Sequence, residues 1–256
     1  MIDPMTTDLV HRERHEHILV VSMHREAKRN AVDRTLADAI DEALNELDDD
    51  PELWIGVLTG TPSVFSAGSD LTAGGDYVTE RGGEYGLIRR DRRKPLIAAV
   101  EGAAVGGGME MVLACDLVVA SRSARFGLPE VTIGALPTSG GLFRLPQAFP
   151  LNLARELVLT GAPVDADRAH AAGFVNLVTE PGDALAAAVE LAGRICANAP
   201  VAVQASLAAI NGMARRLDDD GWEATAAAGR RIADTEDLRE GIRAFLERRP
   251  PRWTGH

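Results

Sequence analysis

A short apolar segment followed by three consecutive glycines constrains the fold of this chain more than any other feature. Residues 96–100 read Leu-Ile-Ala-Ala-Val, and Gly106, Gly107 and Gly108 precede residues 109–115, which are apolar except for Glu110. This pattern predicts a buried strand, a tight turn and then a helix. The first N–H groups of a helix have no intrahelical partner, and glycine lets a ligand approach them closely. The turn is therefore either a site for an anion or a developing oxyanion, or an ordinary packing turn.

Other glycine-rich motifs do not match this turn. A phosphate-binding P-loop requires Lys and then Ser or Thr after its last glycine, whereas Gly107 is followed by Gly108 and Met109. The dinucleotide-binding pattern GxGxxG is also missing. The chain contains neither GxSxG nor HExxH, so no motif supports the hypothesis of a serine hydrolase or of a zinc protease.

The composition is that of a folded globular protein. The 256 residues are 46% hydrophobic and 25% charged, which allows one large domain or two small ones. The formal net charge of −11 argues against binding to nucleic acid, which relies on lysine and arginine to neutralise phosphates. The histidines near the N-terminus lie in a charged segment that explains them without a metal ion, and we expect no metal site.

The cysteines and the N-terminus predict a cytoplasmic protein. Cys115 and Cys196 form no CxxC pair and lie in apolar helical segments, which suits core thiols in a reducing compartment. Residues 1–17 contain no apolar segment typical of a secretion signal, and no run approaches the length of a membrane span.

Hydrophobic periodicity predicts an α/β core followed by a helical C-terminal part. The predicted strands are residues 18–23, 54–59, 96–100, 116–120 and 174–178. The predicted helices run from near Asp33 to residue 50, and over residues 153–160, 165–172, 182–197, 201–217 and 237–248. Residues 72–94 have a weaker pattern, which we interpret as a mobile loop and a surface helix.

A basic cluster ends that weaker segment. It consists of Arg89, Arg90, Arg92, Arg93 and Lys94. Such a cluster is typical of a solvated helix face. The alternative is a site for the phosphates of a ligand, since no other cationic patch in the chain is as dense.

Two glutamates are candidates for acid–base chemistry. Glu110 shares a helical face with Leu113, Ala114 and Leu117, so its side chain should point into the protein. A buried carboxylate is costly unless it is paired or used, although the first turn of a helix also favours a negative charge. Glu130, in a loop after Pro129, would by itself be interpreted as a surface residue.

Several spaced motifs, in this order, resemble the enoyl-CoA hydratase/isomerase (crotonase) superfamily over nearly the whole chain. They are Asn30-Ala31, residues 65–71, residues 102–110, Asp116, Phe126-Gly-Leu-Pro-Glu130, Gly134, Gly140-Gly141, residues 159–161 and residues 171–176. Residues 128–130, 139–141, 144–146, 240–245 and 253–255 are similar to the carnitinyl-CoA dehydratase branch of that superfamily.

The resemblance implies a crotonase-like α/β fold, a spiral of repeated ββα units over residues 1–195. Residues 196–256 would form a helical region used for trimerisation, in a homotrimer or a dimer of trimers. The substrate would be an acyl-CoA thioester, whose CoA is part of the substrate, with no separate cofactor. No nucleic acid or membrane partner is expected.

The resemblance also assigns roles to backbone groups. The N–H groups of Ser69 and Gly107 would form the oxyanion hole for the thioester oxygen. The backbone around Ala67, Ser69 and Leu71 would border the CoA adenine.

Glu110 and Glu130 match both glutamates of the hydratases. One would deprotonate the water that attacks Cβ, and the other would deliver a proton to Cα. Isomerases of this fold generally use one glutamate, so the pair favours a hydro-lyase. The alternatives are an isomerase, or a non-catalytic member that binds CoA esters or RNA.

One segment departs from the hydratases of ordinary fatty acyl-CoA. Those enzymes usually have Pro-Gly-Ala-Gly-Gly where this chain has Pro137-Thr138-Ser139-Gly140-Gly141. Threonine would be penalised if its position required a positive φ. Thr138 and Ser139 also place two hydroxyl groups near the expected acyl end, so we expect Thr138 to contact the acyl group and polar or branched acyl groups to be preferred.

Overall fold

The computed structural model describes residues 9–75 and 77–256, without the side chain of Arg216. The strands in these residues are Val10–His15 (β1), Ile18–Met23 (β2), Ile55–Thr59 (β3), Val64–Ser66 (β4), Val78–Thr79 (β5), Gly83–Glu84 (β6), Leu96–Val100 (β7), Ala103–Val105 (β8), Leu117–Ser121 (β9), Arg125–Gly127 (β10), Val164–Asp165 (β11) and Leu177–Thr179 (β12). The α-helices are Arg34–Asp49 (α1), Gly107–Leu113 (α2), Gly141–Ala148 (α3), Leu151–Thr160 (α4), Ala166–Ala171 (α5), Ala184–Cys196 (α6), Pro200–Ile232 (α7) and Glu236–Glu247 (α8). Short 3-10 helices cover Glu26–Lys28 and Pro129–Ile133.

Strands β1–β4 and β7–β12 form two sheets, and β5 and β6 form a separate two-stranded sheet. The larger has the strand order β1-β2-β3-β7-β9-β12, in which only β1 and β2 pair in the antiparallel sense. The smaller has the order β11-β10-β8-β4, with β4, β8 and β10 parallel. Each of β3, β7 and β9 in the larger sheet is followed by a short strand of the smaller one, and α2 follows β8. The paired strands of the ββα arrangement implied by the family resemblance therefore repeat, and α2 completes the unit of β7 and β8, whereas the β5–β6 hairpin follows β4.

Helix α1 supplies the apolar stripe that its spacing predicts. Leu36, Ile40, Leu44 and Leu47 are fully buried, and the Asp33 carboxylate caps the helix by accepting from the N–H of Leu36 at 3.0 Å. Helix α6 packs on β3, β7 and β9 through buried alanines. The core therefore forms on both faces of the larger sheet.

The predicted surface helix within residues 72–94 is wrong. The described part of this segment consists of turns and the β5–β6 hairpin. Gly83, Tyr85 and Gly86 have φ angles of +68°, +58° and +74°, and a right-handed helix cannot contain such residues.

Three other elements differ from the prediction, one in its existence and two in their bounds. Strand β1 was not expected, because its residues after Val10 are exposed and polar. Helix α7 extends well past residue 217, since Trp222 continues the helix by packing against Phe143. The strand expected at residues 174–178 begins later, as β12 at Leu177–Thr179. Phe174 precedes the strand, and its ring packs against Phe126 and Phe149.

In the part of the chain covered by the structure, no individual helix is both long and apolar enough to cross a membrane, although the bent pair Ala184–Cys196 and Pro200–Arg215 passes the same test of length and composition.

Candidate active site

The first of two backbone bends, at residues 67–71, follows β4 and is held by a buried asparagine. The Asn30 side chain donates hydrogen bonds to the carbonyls of Val64 and Phe65, at 3.2 and 3.0 Å. The Ser66 hydroxyl donates to the Asn30 carbonyl at 2.8 Å and accepts from the N–H of Gly68 at 3.1 Å. These bonds fix the end of the strand, so the residues that follow it have a defined direction.

The N–H of Ser69 lies on the side of this bend that does not face Val32. Val32 forms a parallel bridge here, in which it donates to the carbonyl of Gly68 and accepts from the N–H of Asp70. In a parallel bridge the residue between those two partners directs its own N–H to the opposite side. The Ser69 N–H therefore points away from Val32.

The second bend brings Gly107 against the first. Gly106, with a φ of +58°, precedes α2, and Gly107 is the first helical residue. Gly68 has a φ of +87°, and a Cβ on it would lie 2.7 Å from the Gly107 nitrogen. Within the described residues, the N–H groups of Ser69 and Gly107 have no hydrogen-bond partner. Two neighbouring backbone N–H groups are therefore unpaired within the described residues.

Glu110 lies one turn into α2 and points inward, as its spacing predicts. Its side chain is 2% exposed, and its Oε1 accepts from the N–H groups of Ser139 and Gly141 at 2.7 and 2.9 Å. Burial raises the pKa of Glu110 to about 7, and the two N–H donors oppose that rise. Two donors to the charged form make Glu110 the more readily ionised of the two glutamates.

Glu130, which we would by itself have placed at the surface, is half-buried in the 3-10 helix Pro129–Ile133, with its Oε2 atom buried. Its Oε2 has no hydrogen-bond partner among the described residues, and its Oε1 lies 3.4 Å from the position that a Cβ on Gly106 would occupy. Burial, followed by the negative charge of Glu110, raises the pKa of Glu130 to about 8. An unpartnered buried carboxyl oxygen favours the protonated form.

The remaining predicted site residues differ in their exposure. Ala67 is half-buried in the first bend, and Leu71 is exposed just after it. Thr138 is exposed, whereas its neighbour Ser139 is buried and anchors Glu110. Among the described residues of this loop, Gly140 adopts the left-handed backbone, with a φ of +103°, and Thr138 does not. The threonine is therefore not strained.

The basic cluster is not a solvated helix face, and this expectation is wrong. Three of its members are buried, and each is paired or hydrogen-bonded with groups of the protein itself. These contacts are Arg90 with Asp41 and Asp48, Arg92 with Asp116, and Lys94 with the carbonyls of Leu47 and Asp50 at the end of α1. Arg89 and Arg93 are the exposed members.

Sequence reasoning missed Tyr85. Its ring is 2% exposed, and its hydroxyl lies 2.9 Å from the Ser69 Oγ. It also stands where a side chain on Gly107 would be, 2.4 Å from the position of a Cβ. The only sequence signal was a tyrosine next to glycines in a segment of weak periodicity, which does not indicate the direction of the ring.

Comparison with known proteins identifies the same family over nearly the full chain. The family model described as enoyl-CoA hydratase/isomerase matches residues 13–256. Enoyl-CoA hydratase EchA19 of Mycobacterium tuberculosis is 38% identical over 251 residues, which cover 93% of this chain and 94% of that protein. Carnitinyl-CoA dehydratase of Salmonella arizonae is 38% identical over 251 residues, covering 93% of this chain and 95% of that protein.

The fold also matches that of solved structures. The crystal structure of carnitinyl-CoA hydratase from Mycobacterium avium superposes with a TM-score of 0.93 at 38% identity, over 98% of this chain and 100% of that one. The family, the fold and the hydro-lyase class predicted from the sequence are confirmed by these comparisons. The chain belongs to the enoyl-CoA hydratase/isomerase family.

Proposed function

We propose that this protein adds water to, or removes water from, the α,β double bond of an acyl-CoA thioester, with Glu110 and Glu130 as its acid–base pair. The observation that carries the proposal is this pair of buried carboxylates, whose pKa values are raised to about 7 and about 8 beside two free backbone N–H groups. Near neutral pH such a pair holds one proton between its members, which is the state that simultaneous acid and base catalysis requires.

The difference between the two carboxylates supports different roles. Glu110, with two N–H donors, is suited to be the base that takes a proton from water as the water oxygen bonds to Cβ. The electron pair of the double bond then moves toward the thioester carbonyl, and the N–H groups of Ser69 and Gly107 would stabilise the oxygen that gains charge. Glu130, with its unpartnered Oε2, is suited to deliver its proton to Cα. Dehydration follows the same steps in reverse.

The acyl group is proposed to be polar or branched. Thr138 precedes Ser139, whose N–H anchors Glu110, so the Thr138 hydroxyl would lie near the acyl group, where a plain alkyl chain would leave it without a partner. Ala67, Ser69 and Leu71 are proposed to border the adenine of CoA. Relatives named enoyl-CoA hydratase and carnitinyl-CoA dehydratase support chemistry in both directions.

A panel of 2-enoyl-CoA thioesters tests this function. The panel contains short, long, branched and carnitine-like acyl groups, and mass spectrometry follows each reaction. At least one thioester should gain the mass of one water, reversibly, and Glu110→Gln and Glu130→Gln should each lower the rate by about 10²–10⁴-fold. Double-bond migration without water uptake across the whole panel would instead identify an isomerase.

A homotrimer, or a dimer of trimers, is proposed as the assembly. Helix α7 exposes large apolar side chains on one face, namely Ile210, Met213 and Leu217, which supports a protein partner on this face. Sedimentation equilibrium should give a mass of three or six chains, and a monomer would contradict the proposal. A cytoplasmic location is supported by the unpaired Cys115 and Cys196.

A further inference from the structure

Tyr85 lies in an unusual backbone conformation at the centre of the candidate site. Its φ of +58° is in the left-handed region, which a bulky residue rarely adopts without a compensating function. Its N–H donates to the carbonyl of Tyr77 at 2.9 Å, and the two rings stack with centroids 4.6 Å apart. These contacts hold the Tyr85 side chain in a buried position.

The phenol oxygen contacts both residues that carry the free N–H groups. It forms a hydrogen bond of 2.9 Å with the hydroxyl of Ser69. It also lies against the α-carbon of Gly107, since a Cβ at that position would be only 2.4 Å away. One side-chain atom therefore touches the two bends that the oxyanion hole requires.

The same phenol faces the Glu110 side of the site. Burial and the negative charge of Glu110 raise the pKa of Tyr85 well above its ordinary value, while hydrogen bonding with the hydroxyls of Ser139 and Ser69 opposes that rise. The phenol is therefore neutral over the range of pH in which the glutamates titrate. Ser139 in turn donates its N–H to Glu110, so polar contacts run from the first bend through Tyr85 to the anchor of the carboxylate.

We propose that Tyr85 is a positioning residue, whose phenol fixes the spacing of the Ser69 and Gly107 N–H groups relative to each other and to Glu110. This inference rests on the proposed function, because it concerns the same site. The phenol acts through the groups that it touches, so it should affect polarisation of the thioester carbonyl and the rate of reaction more than ground-state binding.

Tyr85→Phe tests this role, because it removes one oxygen atom and keeps the ring. Two readouts are needed: steady-state kinetics on the best substrate of the panel, and the ultraviolet spectrum of bound 2,4-hexadienoyl-CoA. Polarisation of its conjugated carbonyl shifts the absorption to longer wavelength. Tyr85→Phe should lower kcat about tenfold with KM within about twofold, and should reduce the red shift at saturation. Tyr77→Phe, which removes a phenol oxygen from the same segment, is the matched control and should behave as wild type.

A double-mutant cycle with Ser69→Ala separates positioning from other effects. Once the phenol oxygen is gone, Ser69→Ala should cause no further loss, because the hydroxyl has already lost its partner. If Tyr85→Phe does not fold, as judged by circular dichroism, Ser69→Ala removes the same hydrogen bond from the other side and should still reduce the red shift.

Several results would overturn the inference. They are a red shift and kcat equal to wild type in Tyr85→Phe, an unchanged red shift in Ser69→Ala, and a loss confined to KM or to polar acyl groups, which would place the phenol against the substrate instead. These outcomes leave the proposed function intact. A wild-type protein that neither hydrates the panel nor shifts the spectrum would defeat the proposed function, and this inference with it.

Discussion

Glu130→Gln should make the folded protein more stable at alkaline pH while it impairs hydration. In the unfolded chain a glutamate ionises near its ordinary value of 4.5, whereas burial and the charge of Glu110 raise the pKa of Glu130 in the folded protein to about 8. Between these two values the folded state binds more protons than the unfolded state, so the free energy of unfolding falls as pH rises. This loss of folding stability is absent below about pH 4 and complete above about pH 8. Glutamine has no proton to lose and avoids it.

The size of the effect follows from the pKa of Glu130. Each tenfold change in proton affinity is worth about 1.4 kcal/mol, so a rise from 4.5 to about 8 corresponds to about 5 kcal/mol if the whole shift acts on stability. Part of that rise comes from the charge of Glu110, and water can relax around the side chain, so we expect about 2–4 kcal/mol at pH 8.5. At pH 5 the expected gain is below about 1 kcal/mol, because Glu130 is still protonated in the folded state.

Urea denaturation at pH 5 and pH 8.5, at one fixed protein concentration, measures this difference. The concentration must be constant because assembly adds to the apparent stability. Glu52→Gln is the control, since Glu52 is exposed, and it should change stability little and equally at both pH values. A gain from Glu130→Gln that is equal at the two pH values, or no gain at pH 8.5, would refute the argument that burial holds the proton on Glu130.

Three further predictions concern activity. Ser69→Ala should cost at most about threefold in kcat/KM, whereas Ser69→Pro should raise the barrier by about 3–4 kcal/mol because the N–H donor is lost; a Ser69→Ala loss as large as that of Glu110→Gln would exclude the oxyanion assignment. Thr138→Gly should raise activity on crotonyl-CoA relative to polar thioesters, and an unchanged ratio would exclude Thr138 from the acyl site. A plot of kcat/KM against pH should be bell-shaped, with limbs near pH 7 and 8. Activity falls below the first value because the base is protonated, and above the second because the acid is ionised. Glu130→Gln should abolish the alkaline limb.

The sequence predicted those parts of the molecule in which local spacing determines direction. The i, i+3 and i+4 pattern around Glu110 correctly placed its carboxylate inside, and the stripe of leucines and isoleucine correctly placed α1 against the core. The glycines at 106–108 correctly marked a turn between a strand and a helix. In each case the backbone geometry of one element is sufficient to predict which side is buried.

The same reasoning failed where contacts join distant segments. The clustering of basic residues at 89–94 suggested an exposed helix face, but the partners of Arg90, Arg92 and Lys94 lie on α1 and at Asp116. Tyr85 has no periodic neighbours, and its direction is set by a left-handed backbone among glycines. Buried charges of this kind are paired across the fold, so their position depends on tertiary structure and not on local pattern.

The position of the second carboxylate also depends on the C-terminal end of the chain. Gly241 of α8 lies so close to the carbonyl of Ile133 that a Cβ there would come within 2.1 Å, and a Cβ on Gly134 would lie 2.7 Å from the carbonyl of Asp237. Two glycines that are distant in sequence therefore allow α8 to pack directly on the 3-10 helix that holds Glu130. The division predicted at residue 196 remains a prediction, but it would not separate catalysis from assembly. If the C-terminal helices assembled into the proposed trimer, any movement of α8 would act on the 3-10 helix of Glu130 through backbone contacts, which leave no flexible side chain to absorb it.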